Sequence, residues 1–160
     1  MFPIRTILHP TDFSSHSQAA FRLACSLARD HAARLVILHV LQPPVTVVGG
    51  MAALPPMPDE YGREEAWEKL QRLQPSDGVK SFERMLREGD VLTEILRVAE
   101  EISSDLIAIG THGRTGLRRL LMGSVAEAVL RKASCPVLTV KTSSAKAPSL
   151  ELETEDAITV

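Results

Sequence analysis

The chain has 160 residues, a formal net charge of −2, 44% hydrophobic and 24% charged residues, and only 4% aromatics. That length suits a single domain able to bury about two-thirds of its unfolded surface. The near-neutral charge gives no reason to expect nucleic acid as a partner. No apolar run is long enough for a membrane helix and the first residues lack a signal-peptide core, so the expected location is cytoplasmic, away from membranes.

In chain order, the pattern alternates between strands and helices. Ile4 to His9 is a short β-rich run closed by Pro10. Ser14 or Ser15 can cap the helix that follows, whose apolar positions Ala20, Leu23, Ala24, Leu27, Ala28 and His31 recur at three and four. Leu35 to Leu41 is almost continuously apolar, as in a strand covered on both faces. The segment 42–58 is rich in proline and reads as a lid or an insertion; a short helix carrying Trp67 is expected over 59–73. A third strand falls within 79–86. A helix over 90–102 places Val91, Ile95, Val98 or Ala99, and Ile102 on one face. Leu106 to Ile109 forms a fourth strand, a helix runs from Ser124 to about Lys132, and 135–141 is the fifth strand. Residues 142–160 read as a disordered tail, leaving 1–141 as the folded domain. Cys25 and Cys135 are expected to be buried free thiols.

Such alternation implies right-handed βαβ crossovers and one doubly wound parallel sheet with helices on both faces. Ligands of these sheets bind at the carboxyl ends of the strands, where the strand order reverses. Two loops should meet there: Pro10-Thr11-Asp12 and the stretch from Gly110 to Ser124. The second combines spaced glycines with a following helix start, the arrangement in which backbone N–H groups and the helix dipole hold phosphate. A plainer account fits the same residues, because Ser124-Val-Ala-Glu127 matches a capping box and Gly110 and Gly116 can serve turns. Spacing alone leaves both readings open.

Other single residues divide in the same way. Asp12 can touch a ligand or cap the first helix. His112 has no acid or nucleophile in a defined relation to it, so a loop-ordering role is expected and no catalytic residue is assigned. His9 and His39 are read as core residues. There is no Gly-x4-Gly-Lys-Ser/Thr phosphate loop and no paired carboxylate beside the glycines, so hydrolysis should be slow or absent.

Taken together the motifs resemble the universal stress protein family. Its nucleotide signature Gly-x2-Gly-x9-Gly-Ser/Thr stands complete as Gly110-x2-Gly113-x9-Gly123-Ser124. Ile7 to Ser14 is similar to the family's first strand and its acidic turn, Leu38-His39-Val40 to the ending of its second strand, Glu88-Gly89-Asp90 to the turn before its third helix, and Pro136 to Val140 to its closing strand. The resemblance implies a five-stranded sheet of order 3-2-1-4-5, an adenine nucleotide alpha hydrolase-like fold, and the ATP-binding subgroup. By position, Pro10, Thr11 and Asp12 would flank adenine and ribose, and Val40 would meet the base through its backbone. Gly110, Thr111, His112 and Gly113 would wrap ribose and α-phosphate. Arg114, Thr115, Gly123, Ser124 and Val125 would reach the outer phosphates, with Gly116 lengthening the loop. Mg2+ or Mn2+ can accompany those phosphates, without a dedicated protein metal site. The resemblance further implies a homodimer through strand 136–141 and a stress-response role. The expected function is therefore a nucleotide-dependent regulatory module. The competing readings are an ATP-dependent transferase or ligase, and an AMP-, cyclic AMP- or nucleotide-free adaptor dimer.

Overall fold

The computed structural model describes residues 3–42, 60–111 and 122–141. Nine elements follow one another: β1 (Thr6–Pro10), α1 (Ser15–Asp30), β2 (Arg34–Leu41), α2 (Glu60–Arg72), β3 (Ser81–Glu88), α3 (Val91–Glu101), β4 (Leu106–Gly110), α4 (Ser124–Lys132) and β5 (Val137–Val140). The strands form one all-parallel sheet of order β3-β2-β1-β4-β5, the topology expected. The expected lid and tail, 42–58 and 142–160, lie outside the described residues apart from Gln42.

Strand alternation sends side chains to two separate cores. Ile7, Leu35, Ile37 and Ala108 pack with Phe21, Ala24 and Ala28 of α1 and Leu70 of α2. Leu8, Val36, Leu38, Ile107 and Ile109 pack with Ile95 and Val98 of α3 and Val129 of α4. Burial on both faces is why β1, β2 and β4 read as unbroken apolar runs. The amino end of the sheet is tied by Asp105, whose Oδ2 accepts from the backbone N–H groups of Arg5 and Thr6 at 2.8 and 2.9 Å.

Helix ends follow their local chemistry. Ser14 caps α1, its hydroxyl accepting from Ser17 N at 3.2 Å. Asp90 caps α3, accepting from the hydroxyl of Thr93 at 2.6 Å and from its N–H at 2.9 Å. Those bonds favour the charged form and hold the Asp90 carboxyl below its ordinary range. Gly89, just before that cap, adopts φ 143°, a conformation open to glycine alone without strain. α1 and α3 both end in a Schellman motif: Ala33 N donates to Ala28 O and Ser104 N to Ala99 O, each at 2.8 Å.

Three details depart from the sequence reading. The buried stripe of α1 is Ser17, Ala20, Phe21, Ala24, Cys25 and Ala28, while Leu23 is 39% exposed and His31 is exposed. The helix is rotated so that its one aromatic residue enters the core and the small residues lie against the sheet. β3 extends to Glu88, past the expected 86, because it pairs residue by residue with all of β2. Cys135 is half-buried, unlike the buried Cys25; neither is in a disulfide, and burial pushes both thiols up.

Candidate functional site

The sheet reverses its winding between β1 and β4, and there the two connections leave toward opposite faces. A cleft of about 640 Å³ opens at this point, at the carboxyl ends of the strands. Pro10, Thr11 and Asp12 form one wall, and Leu38 to Gln42, at the end of β2, extend it. Ile109, Gly110 and Thr111 come from the end of β4, opposite them Gly123, Ser124, Val125 and Ala126 from the start of α4. Val91 and Ile95 of α3 give apolar cover. The volume falls within the range of about 300–1,000 Å³ usual for small-ligand sites.

The turn after β1 is held by a dense network. Thr11 N donates to Leu38 O at 2.8 Å, continuing the strand pairing by one residue beyond Pro10. Thr11 Oγ1 accepts from Phe13 N at 3.1 Å and from the Ser17 hydroxyl at 2.7 Å. The Thr11 carbonyl lies 2.7 Å from His39 Nδ1, which donates to it. Asp12 Oδ1 accepts from Ser14 N at 3.0 Å, so Asp12 shapes the turn while Ser14 does the capping. Phe13 sits at φ 65°, a strained setting for a bulky residue, with its ring 4.5 Å from that of His39. The carbonyl and hydroxyl of Thr11 are thus fixed from two elements at once.

On the other wall, the expected capping box is absent. The N-cap of α4 is Gly123, which has no side chain to cap with, and Ser124 is already the first helical residue. The register of the helix is set one residue earlier than the box requires, with Glu127 N donating to Gly123 O at 3.0 Å. The first turn of α4 lines the cleft, and its N-cap offers no side chain to its N–H groups. The ends of the intervening loop are closed by Gly123 N on Thr111 O at 2.6 Å and Thr111 N on Val140 O at 3.0 Å.

Nine of the residues singled out by sequence meet in this cleft: Pro10, Thr11, Asp12, Val40, Gly110, Thr111, Gly123, Ser124 and Val125. The other five, His112, Gly113, Arg114, Thr115 and Gly116, lie outside the described residues. Sequence reasoning missed Ser17 and His39 as parts of the site. Ser17 was detectable as the one hydroxyl on the apolar stripe of α1, and His39 as a polar break in the β2 run. Gly110 has a steric role too, since a Cβ there would lie 2.8 Å from the carbonyl carbon of His16.

His9, in β1 behind the cleft, is fully buried. Its Nδ1 donates to Ala108 O at 2.9 Å, and its Nε2 has no partner among the described residues. Burial lowers its pKa to about 4, against smaller opposing contributions from the Ala108 bond and the Asp12 charge. The ring is neutral near pH 7 and is no general acid there. Among the described residues no three His, Cys, Asp or Glu side chains gather as a metal site, and Asp12 is the one acid lining the cleft.

A parallel doubly wound sheet with a cleft at its switch point defines an α/β protein of the doubly wound class, in which ligands are bound at that point of the sheet. The model of the universal stress protein family matches residues 3–141, and the chain belongs to that family. It is 38% identical over 141 residues to universal stress protein MJ0531 of Methanocaldococcus jannaschii, covering 86% of this chain and 82% of that one. Its fold is similar to the solved structure of MJ0577, with TM-score 0.71 and 26% identity over 89% of this chain and 99% of that one. A universal stress protein from Archaeoglobus fulgidus, solved in complex with dAMP, has TM-score 0.59 and 25% identity over 88% of this chain and 100% of that one. No helix among the described residues is long and apolar enough to cross a membrane.

Proposed function

We propose that this chain is a nucleotide-dependent regulatory protein that holds ATP in the cleft between β1 and β4. The observation that carries the reading is the uncapped start of α4 facing the Pro10–Asp12 turn across the cleft. Glycine at the N-cap and serine at the first helical position leave N–H groups and a hydroxyl for an anion, in the field of the helix dipole. The apolar residues Leu38, Val40, Ile95 and Ile109 suit a purine ring, with backbone groups at Thr11 and Val40 to read its edge.

In this reading Pro10, Thr11 and Asp12 flank base and ribose, and Gly110 to Gly113 wrap ribose and α-phosphate. Arg114, Thr115, Gly123, Ser124 and Val125 take the outer phosphates. A divalent cation, Mg2+ or Mn2+, would be carried chiefly by the phosphates, because the described cleft offers a single carboxylate. Among the described residues lining the cleft, no general base lies at the start of α4, where this reading puts the outer phosphates, so turnover is slow and occupancy is the signal. Two copies pair through β5, an edge strand whose Val137, Leu138 and Val140 are only half-buried. The same reading places the protein in the cytoplasm.

Mass spectrometry of the co-purifying nucleotide, with calorimetric titration of ATP, ADP, AMP and cyclic AMP, tests the reading. ATP should bind at least tenfold tighter than AMP, and Ser124→Ala should narrow that gap. The dAMP complex of the Archaeoglobus fulgidus relative favours a monophosphate occupant as second reading. Equal affinity for AMP and ATP would establish it and remove the outer-phosphate contacts. Steady-state hydrolysis approaching the about 1–100 s⁻¹ of kinases would replace the regulatory reading with an enzymatic one.

A further inference from the structure

A second concave region lies away from the cleft. A groove of about 570 Å³ is lined by Arg63, Trp67, Arg84, Met85, Leu86 and Arg87, with Glu64 its one acid. Its position relative to the sheet is informative. Among the described residues β3 is the outermost strand and pairs with β2 alone. Leu86 packs toward the core under α1 and α2, and Met85 toward the core under α3 and α4. Residues from both faces of β3 reach the groove, so it follows the open edge of the strand.

That edge is apolar and cationic together. Trp67 is 40% exposed. Arg84 is fixed by the carbonyls of Leu70 and Leu73 at 3.0 and 2.8 Å, and none of the described ion pairs includes it. Arg87 spends one nitrogen, Nη2, on Glu101, while its Nε is buried with no partner among the described residues. Arg63 reaches Glu88 only at 3.6 Å, with both side chains well exposed. A strand edge with an aromatic wall and three guanidinium groups to one lining acid suits an extended segment in which apolar and acidic residues alternate.

This chain contains one. Residues 150–160 run Leu-Glu-Leu-Glu-Thr-Glu-Asp-Ala-Ile-Thr-Val, with four acids and no base. Extended, Leu150 and Leu152 face one way and Glu151, Glu153 and Glu155 the other. The reach is sufficient. All strands are parallel, so Val140 of β5 and Glu88 of β3 lie at the same end of the sheet, four strand spacings apart. Four spacings are about 19 Å, and the eight residues 142–149 extend to about 26–29 Å.

We propose that residues 150–160 dock as an added strand on the open edge of β3, in the same molecule. Entering at the Glu88 end, the segment runs antiparallel to β3. By strand alternation its leucines lie on the face of Trp67 and Leu86, and its carboxylates lie on the face of Arg87, whose Nε has no partner among the described residues. The docking does not depend on what the cleft binds.

Trp67 is the only tryptophan of the chain, so its emission reports the groove directly. The native full chain is compared with a full chain carrying Glu151→Gln, Glu153→Gln and Glu155→Gln, by fluorescence and by hydrogen exchange of β3. The substitutions should shift Trp67 emission to the red and speed exchange of the β3 amides not bonded to β2 at least tenfold. Added salt should move the native chain the same way and leave the variant unchanged. Identical emission and exchange in the two chains would overturn the proposal and assign the edge to another segment or to solvent. A native signal that strengthens with protein concentration would overturn docking within one molecule in favour of a second copy.

Discussion

Gly110, the last residue of β4, lies so close to His16 in the first turn of α1 that a Cβ built on it would stand 2.8 Å from the carbonyl carbon and oxygen of that residue, and 3.0 Å from Ser17 N. These are backbone atoms and cannot rotate away. The glycine thus sets how closely the start of α1 approaches the switch point of the sheet. Ser17, one residue on, holds the Thr11 hydroxyl at 2.7 Å.

Gly110→Ala should therefore act on stability and on the cleft together. Overpacking of this kind typically destabilises by about 1–3 kcal/mol. Denaturant unfolding should show a loss in that range, and nucleotide affinity should fall as α1 moves and the Thr11–Ser17 bond lengthens. Loss of affinity without any loss of stability would show that Gly110 acts only by touching ligand.

Gly123→Asp separates the two readings of the α4 terminus. An aspartate at the N-cap takes the N–H groups of the first turn, gaining at most a few tenths of a kcal/mol over glycine. A proposed phosphate would lose those donors and meet a carboxylate in their place. Thermal unfolding should stay level or rise slightly while ATP retention disappears. Retained ATP in a chain that melts normally would place the phosphates elsewhere.

The glycine loop shows where sequence reasoning reached and where it stopped. The strands β1, β2 and β4 were legible because both their faces are buried, which leaves unbroken apolar runs. The caps Ser14 and Asp90 follow from side-chain chemistry that is local. Strand order is a matter of contacts between distant residues, and it came from the family resemblance rather than from periodicity. The phase of α1 was misread because Leu23 and Phe21 are both apolar and only the sheet decides between them. The start of α4 at Ser124 was legible, but the capping box offered as one account of it is absent, because Gly-Ser and Ser alone both make acceptable caps, one residue apart. Ser17 and His39 enter the site through tertiary bonds to Thr11, at separations of 6 and 28 residues.

The two Schellman motifs each place a non-glycine residue in the left-handed region, Ala32 at φ 53° and Ser103 at φ 50°. For L-residues that setting costs about 1–2 kcal/mol, and glycine removes it while losing about 0.5–1 kcal/mol in the entropy of the unfolded chain. Ala32→Gly and Ser103→Gly should each stabilise by about 0.5–1 kcal/mol in urea unfolding. The two follow different helices and share no bond in the described backbone network, so the double variant should show the sum. Destabilisation by either would mean that the lost side chain contributes more than the strain it carries.

His9 gives the fold a pH dependence whose sign follows from its burial. Its folded pKa of about 4 lies below the ordinary 6.5, so the folded state binds fewer protons than the unfolded chain between those values. Charging the ring would put a second N–H on Nε2, where no acceptor is found among the described residues. Stability contributed by the neutral ring is therefore complete above pH 6.5 and is lost as pH falls toward about 4. At about 1.4 kcal/mol per pKa unit, the loss over that window is on the order of 3 kcal/mol. His9→Gln keeps a donor for the Ala108 carbonyl and does not titrate. The native-minus-variant difference in unfolding free energy should be level above pH 7, fall across the window, and level off below it. Carboxylates shared by both chains cancel in that difference, so a flat profile would mean that His9 is solvated enough to charge in the folded state.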